Sequence, residues 1–387
     1  MSGPTTTGPD AVGPVSDEAP GAPLRVVHVL DSFTAGGAQA VAVQLGAWLA
    51  ARGAQVHLLG VDGPLAADAR RALRPSHVHV RPGTVAVGGY VGRFVAGLRA
   101  LDRTCREVRP HVLHAHQRRE ALQCLLVGAR HGVPVVEHAH TFLPRPGLRA
   151  LSFRSAAVFA VSDHVGAMVA DRFGRRDGVL VVGNAPARTS DRPVLPAPPP
   201  GGRPLRILGL GRLVEQKDPL RFVRVVAAAA RVVDVEAVWH GEGPLLDEAR
   251  ALAARLRAPV VFAGHADDVP ARIDAADALL MTSAWEGLPL VVLEAFARHR
   301  PVVATAASGA PGALGGGRAV VVPDDADDET AARLLTTALA DRARTTEQVS
   351  LAAGWLARRA TPDAVFGPVL RTYDELRRRA APRGRRP

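Results

Sequence analysis

Two series of short apolar runs, each run followed by a turn and then a stretch of helical spacing, constrain this chain more than any other feature. Residues 24–30 lead through Gly36-Gly37 into helical spacing over 39–51. Runs of the same kind follow at 55–60, 78–81, 112–115, 133–137, 158–161 and 179–182, with helical stretches such as 92–107 and 120–131 between them. Strands that alternate with helices are too far apart in sequence for tight hairpins, so they pair in parallel beneath helices on both faces. The series stops at a proline- and glycine-rich stretch and restarts with runs at 205–210, 235–239, 260–263, 278–281, 302–305 and 319–322. Helices are expected outside these strands over 329–342 and 347–359, and a last one over 365–379. The expected fold class is α/β with two Rossmann-like, doubly wound domains. Its divisions are a disordered leader over 1–23, an N-terminal domain over 24–187, a proline-rich linker over 188–204, a C-terminal domain over 205–364, and a last helix with a basic tail over 365–387.

A chain of 387 residues is long enough for two separate cores. It has no apolar stretch of about 18 residues or more, so no spanning helix is expected. The leader lacks the apolar segment of a signal peptide. Cys105 and Cys124 are too few for a disulfide framework, and a reducing, cytoplasmic setting is expected. The net charge of +11 raises the question of polyanions. The arginines are spread over every helix, however, and aromatics are only 4 % of residues, which removes the stacking platform that single strands need. No nucleic-acid partner is expected; the arginine-rich end leaves peripheral contact with an anionic inner membrane face open.

The chemistry gathers in the second series. Residues 285–295, WEGLPLVVLEA, place Glu286 and Glu294 eight positions apart across a loop-to-helix junction. With a helix over 289–298, Pro289 takes a first helical position, where a missing N–H is tolerated. Glu286 then lies just outside the helix and Glu294 inside it, while the N–H groups of Gly287 and Leu288 face whatever anion or hydroxyl the loop holds. Two carboxylates so placed can grip two hydroxyl-bearing parts of one ligand, such as a sugar and a ribose. Taken alone, they are read equally well as a turn acid and a helix acid in solvent. Glu294 nevertheless interrupts an apolar run, and a buried carboxylate must have partners.

Arg212 and Lys217 flank the turn after 205–210, ahead of a helix over 220–231. A planar fork and a point charge beside a helix N-terminus make an anion site. Lys217 is the only lysine among 48 basic residues, which marks it as a compact charge that arginine does not replace. Gly241 and Gly243 form another glycine turn. Gly36-Gly37 allows a close backbone approach to a phosphate but does not match G-x-G-x-x-G, so no nicotinamide cofactor is expected. His114, His116, His138 and His140 gather after strand ends, where an open sheet puts its crevice. No cysteine or carboxylate completes a ligand set there, and no metal is expected. The pairs Asp267-Asp268, Asp324-Asp325 and Asp327-Asp328 read as solvated loop acids.

Taken in order, GRLVEQKDP, HGEGP, FAGHADDVP, AADALLMTSAWEGLPLVVLEA, RPVVAT and VVVP resemble the donor half of family 4 of the retaining nucleotide-sugar glycosyltransferases. AGGAQ, VLHAHQ and GVPVVEHAHTF are similar to its acceptor half, and the resemblance covers roughly residues 24 to 375. It implies the GT-B architecture of two facing Rossmann-like domains with a cleft between them, and an E-x7-E motif. It also implies transfer with retention, no metal and no cofactor. The donor would be a UDP- or GDP-linked sugar; the acceptor would be a glycan, a lipid-linked or a small molecule, in cell-envelope glycan or natural-product (antibiotic) biosynthesis.

Carried onto this chain, Arg212 and Lys217 clamp the donor diphosphate and Glu294 takes the ribose hydroxyls. Glu286, with the N–H groups of Gly287 and Leu288, holds the transferred sugar. His140 touches the donor sugar or its phosphate, with His116 a weaker match in the acceptor domain. Gly241 and Gly243 belong to the donor-binding turns, and Gly36-Gly37 approaches the diphosphate from the facing domain. The chain departs from the pattern at His299-Arg300, where relatives often have a small residue. It departs again at Gly309-Ala310-Pro311-Gly312-Ala313, where a glutamate is common. A sugar-nucleotide epimerase, or a non-catalytic sugar-nucleotide or polyanion-binding protein, is the alternative.

Overall fold

The structure is a computed structural model that describes residues 22–34, 36–81, 89–145, 151–186, 203–266, 268–308 and 311–380. Most of the leader, of the proline-rich linker and of the basic tail, together with Asp267, Gly309 and Ala310, lies outside the described residues.

Two wholly parallel sheets form the frame. The first contains β1 (Arg25–Ser32), β2 (Gln55–Val61), β3 (Val78–Arg81), β4 (Val112–Ala115), β5 (Val135–Ala139), β6 (Ala157–Ala160) and β7 (Val179–Val181), in the order β3-β2-β1-β4-β5-β6-β7. The second contains β8 (Leu205–Leu210), β9 (Val235–His240), β10 (Val260–Phe262), β11 (Ala278–Met281), β12 (Val302–Thr305) and β13 (Val320–Val322), in the order β10-β9-β8-β11-β12-β13. Central strands such as β4, β5, β11 and β12 are buried along their whole length, as expected of strands covered on both faces. In each sheet the chain winds outward from a first strand, one way and then the other. The ligand crevice of such a sheet lies beyond the carboxyl ends at the reversal, here between β1 and β4 and between β8 and β11. This is the GT-B arrangement of two Rossmann-like domains.

Some sequence expectations move by a few residues for identifiable reasons. β5 begins after Pro134, which has no N–H to give a ladder, and therefore runs on through His138. His114 and His138 thus lie inside strands, and only His116 and His140 lie just past their ends. The helix after Glu286 spans Leu290–Ala297, with Pro289 extended at its N-cap rather than at its first position. The helix Arg342–Arg359 starts five residues earlier than the spacing suggests, because the Asp341 carboxylate accepts the Arg344 N–H at 3.0 Å. Several supposedly solvated acids are in fact structural. Asp268 and Asp327 cap helices, Asp324 accepts the Ala307 N–H, and Asp328 pairs with Arg224 at 2.6 Å.

The last helix, Pro362–Ala380, follows the second domain in sequence but packs on the first. Val365, Phe366, Val369 and Tyr373 join the core that holds Leu45 and Leu49 of the helix Gly37–Ala50. The Trp48 indole donates to Asp363 at 2.8 Å, and Arg52 pairs with the same carboxylate. Cys105 and Cys124 are buried free thiols. No helix among the described residues is long and apolar enough to cross a membrane. Because Phe366 is 1 % exposed in a core that belongs to the other domain, Phe366→Ala should destabilise the N-terminal domain by about 3–5 kcal/mol. An earlier unfolding transition in urea is the expected readout; an unchanged one would mean that this helix docks only loosely.

Candidate functional site

At the reversal of the second sheet, the loops after β8 and β11 are stitched together. The Ala284 N–H donates to the Gln216 carbonyl at 2.8 Å, the Thr282 hydroxyl to the Asp218 carbonyl at 2.9 Å, and the Gln216 amide to the Trp285 carbonyl at 3.1 Å. This stitching brings Lys217 and Glu286 into an ion pair, with Gln216 Nε2 at 3.3 Å from the other carboxylate oxygen. Glu286 is only 6 % exposed, so separating the pair without a replacement would leave a buried charge alone. Asp218 takes a left-handed conformation, φ 43°, and caps the helix Pro219–Ala229 through the Arg221 N–H at 2.9 Å, which ends the lysine's turn sharply. The lysine stem crosses Gly211 so closely that a Cβ there would lie 3.1 Å from Lys217 Cε.

The turn after β9 lies on the turn after β8. A Cβ on Gly241 would fall 2.0 Å from the Gly211 carbonyl oxygen, and one on Gly243 would fall 2.4 Å from that of Leu213. The Leu213 N–H donates to the Glu242 carbonyl at 2.9 Å across this contact. Backbone packing alone is therefore enough to require glycine at both positions.

The facing domain completes the cleft. A Cβ on Gly287 would lie 2.2 Å from the His140 carbonyl oxygen, so any other residue would push the Glu286 loop away. The Ser162 hydroxyl donates to the Gly287 carbonyl at 2.9 Å, and the Asn184 amide to the Leu288 carbonyl at 2.8 Å. Gly36-Gly37 opens the helix Gly37–Ala50, and the nearest neighbour of Gly37 is Leu290 of the other domain. The structure thus groups Lys217, Glu286, Gly287, Leu288, His140 and the Gly36-Gly37 turn. Glu294 stands in the second turn of its helix, 8 % exposed. Arg212 is exposed on the loop after β8. Sequence reasoning passed over Ser162 and Asn184; their signal was that both stand just beyond the carboxyl ends of parallel strands.

Behind His140 lies a stack of imidazoles on β1, β4 and β5, in which His28 is in register with His114. Ring centroids are 4.3 Å apart for His114 and His116, 4.2 Å for His138 and His140, and 5.2 Å for His116 and His140. His28 Nδ1 and His116 Nε2 hydrogen-bond at 2.9 Å, His116 Nδ1 and His140 Nε2 at 3.0 Å, and His114 Nδ1 bonds the Tyr373 hydroxyl. Burial lowers the pKa of all five rings, taking His28 down to about 3. His28 is fully enclosed, whereas His140 is partly exposed at the cleft. The unfolded chain, with rings titrating near 6.5, binds more protons than the folded one below that pH. Stability is thus full above about pH 6.5 and lost as the pH falls towards 3. Urea unfolding at pH 5 should show a loss of about 2 kcal/mol from His28 alone relative to pH 7; a flat profile would mean that solvent reaches the ring.

Comparison with known proteins agrees with this geometry. Residues 35–185 match the family described as Glycosyltransferase Family 4, and residues 204–341 match that described as Glycosyl transferases group 1. Over 137 residues, 35 % of this chain, the sequence is 33 % identical to the lipopolysaccharide core biosynthesis glycosyltransferase LpsE of Rhizobium meliloti, covering 39 % of that protein. Over 26 % of this chain it is 28 % identical to the UDP-Gal:alpha-D-GlcNAc-diphosphoundecaprenol alpha-1,3-galactosyltransferase of Escherichia coli, covering 27 % of it. The matches thus span less than half the length of either relative. Among solved structures, Anabaena Alr3699/HepE in complex with UDP and glucose superposes with a TM-score of 0.76 at 19 % identity, over 91 % of this chain and 100 % of that one. The two adjoining family matches, together with the paired Rossmann-like domains, assign this chain to the GT-B glycosyltransferases of the family 4 type.

Proposed function

We propose that this chain transfers a sugar, with retention of anomeric configuration and without a metal, from a uridine-diphosphate sugar to a hydroxyl of a cell-envelope glycan. The observation that carries this reading is the buried Lys217–Glu286 pair, held against His140 of the facing domain by the Gly287 contact. A nucleoside diphosphate is already a weak base, so its departure needs charge stabilisation more than a strong acid. Lys217 supplies that charge as the diphosphate enters, with Arg212 on the same loop adding a planar fork. The entering phosphate replaces Glu286 as partner of the lysine and frees its carboxylate to accept hydrogen bonds from the sugar hydroxyls. Glu294 accepts those of the ribose. His140, kept neutral by its surroundings, meets the sugar from across the cleft.

Retention follows if the acceptor attacks from the face that the leaving group quits, a phosphate oxygen helping to remove its proton. Approach of the two domains excludes water and spares the donor from hydrolysis. Support for the uridine donor and the envelope acceptor comes from the names of the relatives, one a lipopolysaccharide core enzyme and one a UDP-galactose enzyme, and from the UDP bound to the Anabaena protein.

Thermal unfolding of the purified chain with UDP, GDP and their sugars tests this reading. The matching nucleotide at about 100 times its dissociation constant should add about 2.7 kcal/mol of stability, and Lys217→Ala and Glu294→Ala should lose that gain. Lys217→Ala should also lower kcat by about 10²–10³-fold. No stabilisation by any of these nucleotides would sink the donor-site assignment.

A further inference from the structure

The histidine stack has more hydrogen-bonding capacity than it uses. Neither ring nitrogen of His138, a side chain 4 % exposed, has a partner among the described residues, and the same holds for Nε2 of His28 and of His114. Unpartnered buried polar atoms are costly, and they call for a ligand that uses lone pairs.

The chain supplies these rings as two His-Ala-His pairs, His114-Ala115-His116 at the end of β4 and His138-Ala139-His140 at the end of β5. Side chains two positions apart on a strand share a face. β4 and β5 are neighbours, with His114 opposite Val136 and Ala115 opposite Glu137, so the two pairs lie side by side. One nitrogen each from His116, His138 and His140 lie within 4.8 Å of one another. In a four-coordinate site with metal–nitrogen bonds of about 2.0–2.1 Å, neighbouring ligand nitrogens stand about 3.3 Å apart. His116 Nδ1 and His140 Nε2, at 3.0 Å, are already near that separation, and the His138 ring is tied to neither.

We propose that His116, His138 and His140 form a binding site for a first-row divalent metal ion of the kind that prefers imidazole, such as zinc or cobalt, with the fourth position open to the cleft. His28 completes the arrangement from behind. Its Nδ1 lies 2.9 Å from the remaining nitrogen of His116 and fixes that ring's orientation and tautomer. A second triad, His28, His114 and His116, brings nitrogens equally close, but it is wholly buried. The cleft-side triad has His140 partly exposed, which gives an ion a way in. This site is separate from the charge stabilisation assigned to Arg212 and Lys217.

The test uses the full chain, freed of any affinity tag, stripped with a chelator and equilibrated with Co²⁺. A tetrahedral cobalt site should give strong visible absorption, retain one equivalent through gel filtration, and lose its colour when Zn²⁺ is added. His138→Ala should lower the retained cobalt at least tenfold, with circular dichroism confirming that the variant is folded. If that variant does not fold, His140→Ala, at the partly exposed end of the stack, makes the same measurement. His57→Ala, in the separate group where His57 and His79 hydrogen-bond at 2.9 Å, should leave retention unchanged. Absence of the band in the unmodified chain, its survival in both triad variants, or its loss on His57→Ala would each overturn the proposal.

Discussion

The approach of the Gly287 backbone to the carbonyl of His140 is the contact on which the cleft depends. Two sheets with their own cores have no intrinsic reason to hold their carboxyl ends in fixed relation. Here one loop of the second domain lies so close to the first that a Cβ would have no room, and Ser162 and Asn184 bind the carbonyls of Gly287 and Leu288. Around these polar contacts Val161, Val165, Leu288 and Val292 share one apolar cluster, so burial reinforces what the hydrogen bonds orient. Glu286 is consequently positioned by both domains, although it belongs to only one.

That position gives the Lys217–Glu286 pair its chemical character. A buried ion pair contributes little net stability, because desolvation offsets much of its attraction, but it is costly to break without a replacement charge. A ligand that brings its own negative charge to the lysine avoids that cost. The lysine stem passes over Gly211, and the two loops that carry the charges are joined by main-chain and side-chain hydrogen bonds, so the pair is held from both sides. A point charge on a flexible stem suits this narrow passage better than the broad fork of arginine, which the chain uses nearly everywhere else.

The strands were legible because strands covered on both faces must be continuous apolar runs, and the runs at 205–210, 278–281 and 302–305 coincide with β8, β11 and β12. The offset at β5 was also written in the chain, at Pro134, as was the early start of the helix at Asp341. Partners across long sequence separations were not legible. The apolar spacing of Val365, Phe366, Val369 and Tyr373 announces a buried helix face, yet nothing local says that it is buried in the first domain rather than the second. Likewise Tyr373 meets His114, and His28 meets His116, only because the winding order of the first sheet places β1 beside β4. Among the site residues, Lys217 and Glu286 were each recognisable by type and place. Their pairing to each other was not, since it depends on two loops that meet only when β8 and β11 become neighbours.

His140 joins the two halves of this picture through different atoms. Its carbonyl oxygen sets the distance to Gly287 and so belongs to the contact between the domains, while its ring ends the imidazole stack that runs back through His116 to His28. The two roles are physically separable. Removing the ring leaves the backbone contact in place and unseats only the end of the stack, whereas a side chain at Gly287 leaves the stack in place and displaces the loop that carries Glu286. The apposition of the domains is therefore a property of main chain and glycine, and the chemistry of the cleft is a property of the side chains which that apposition brings together.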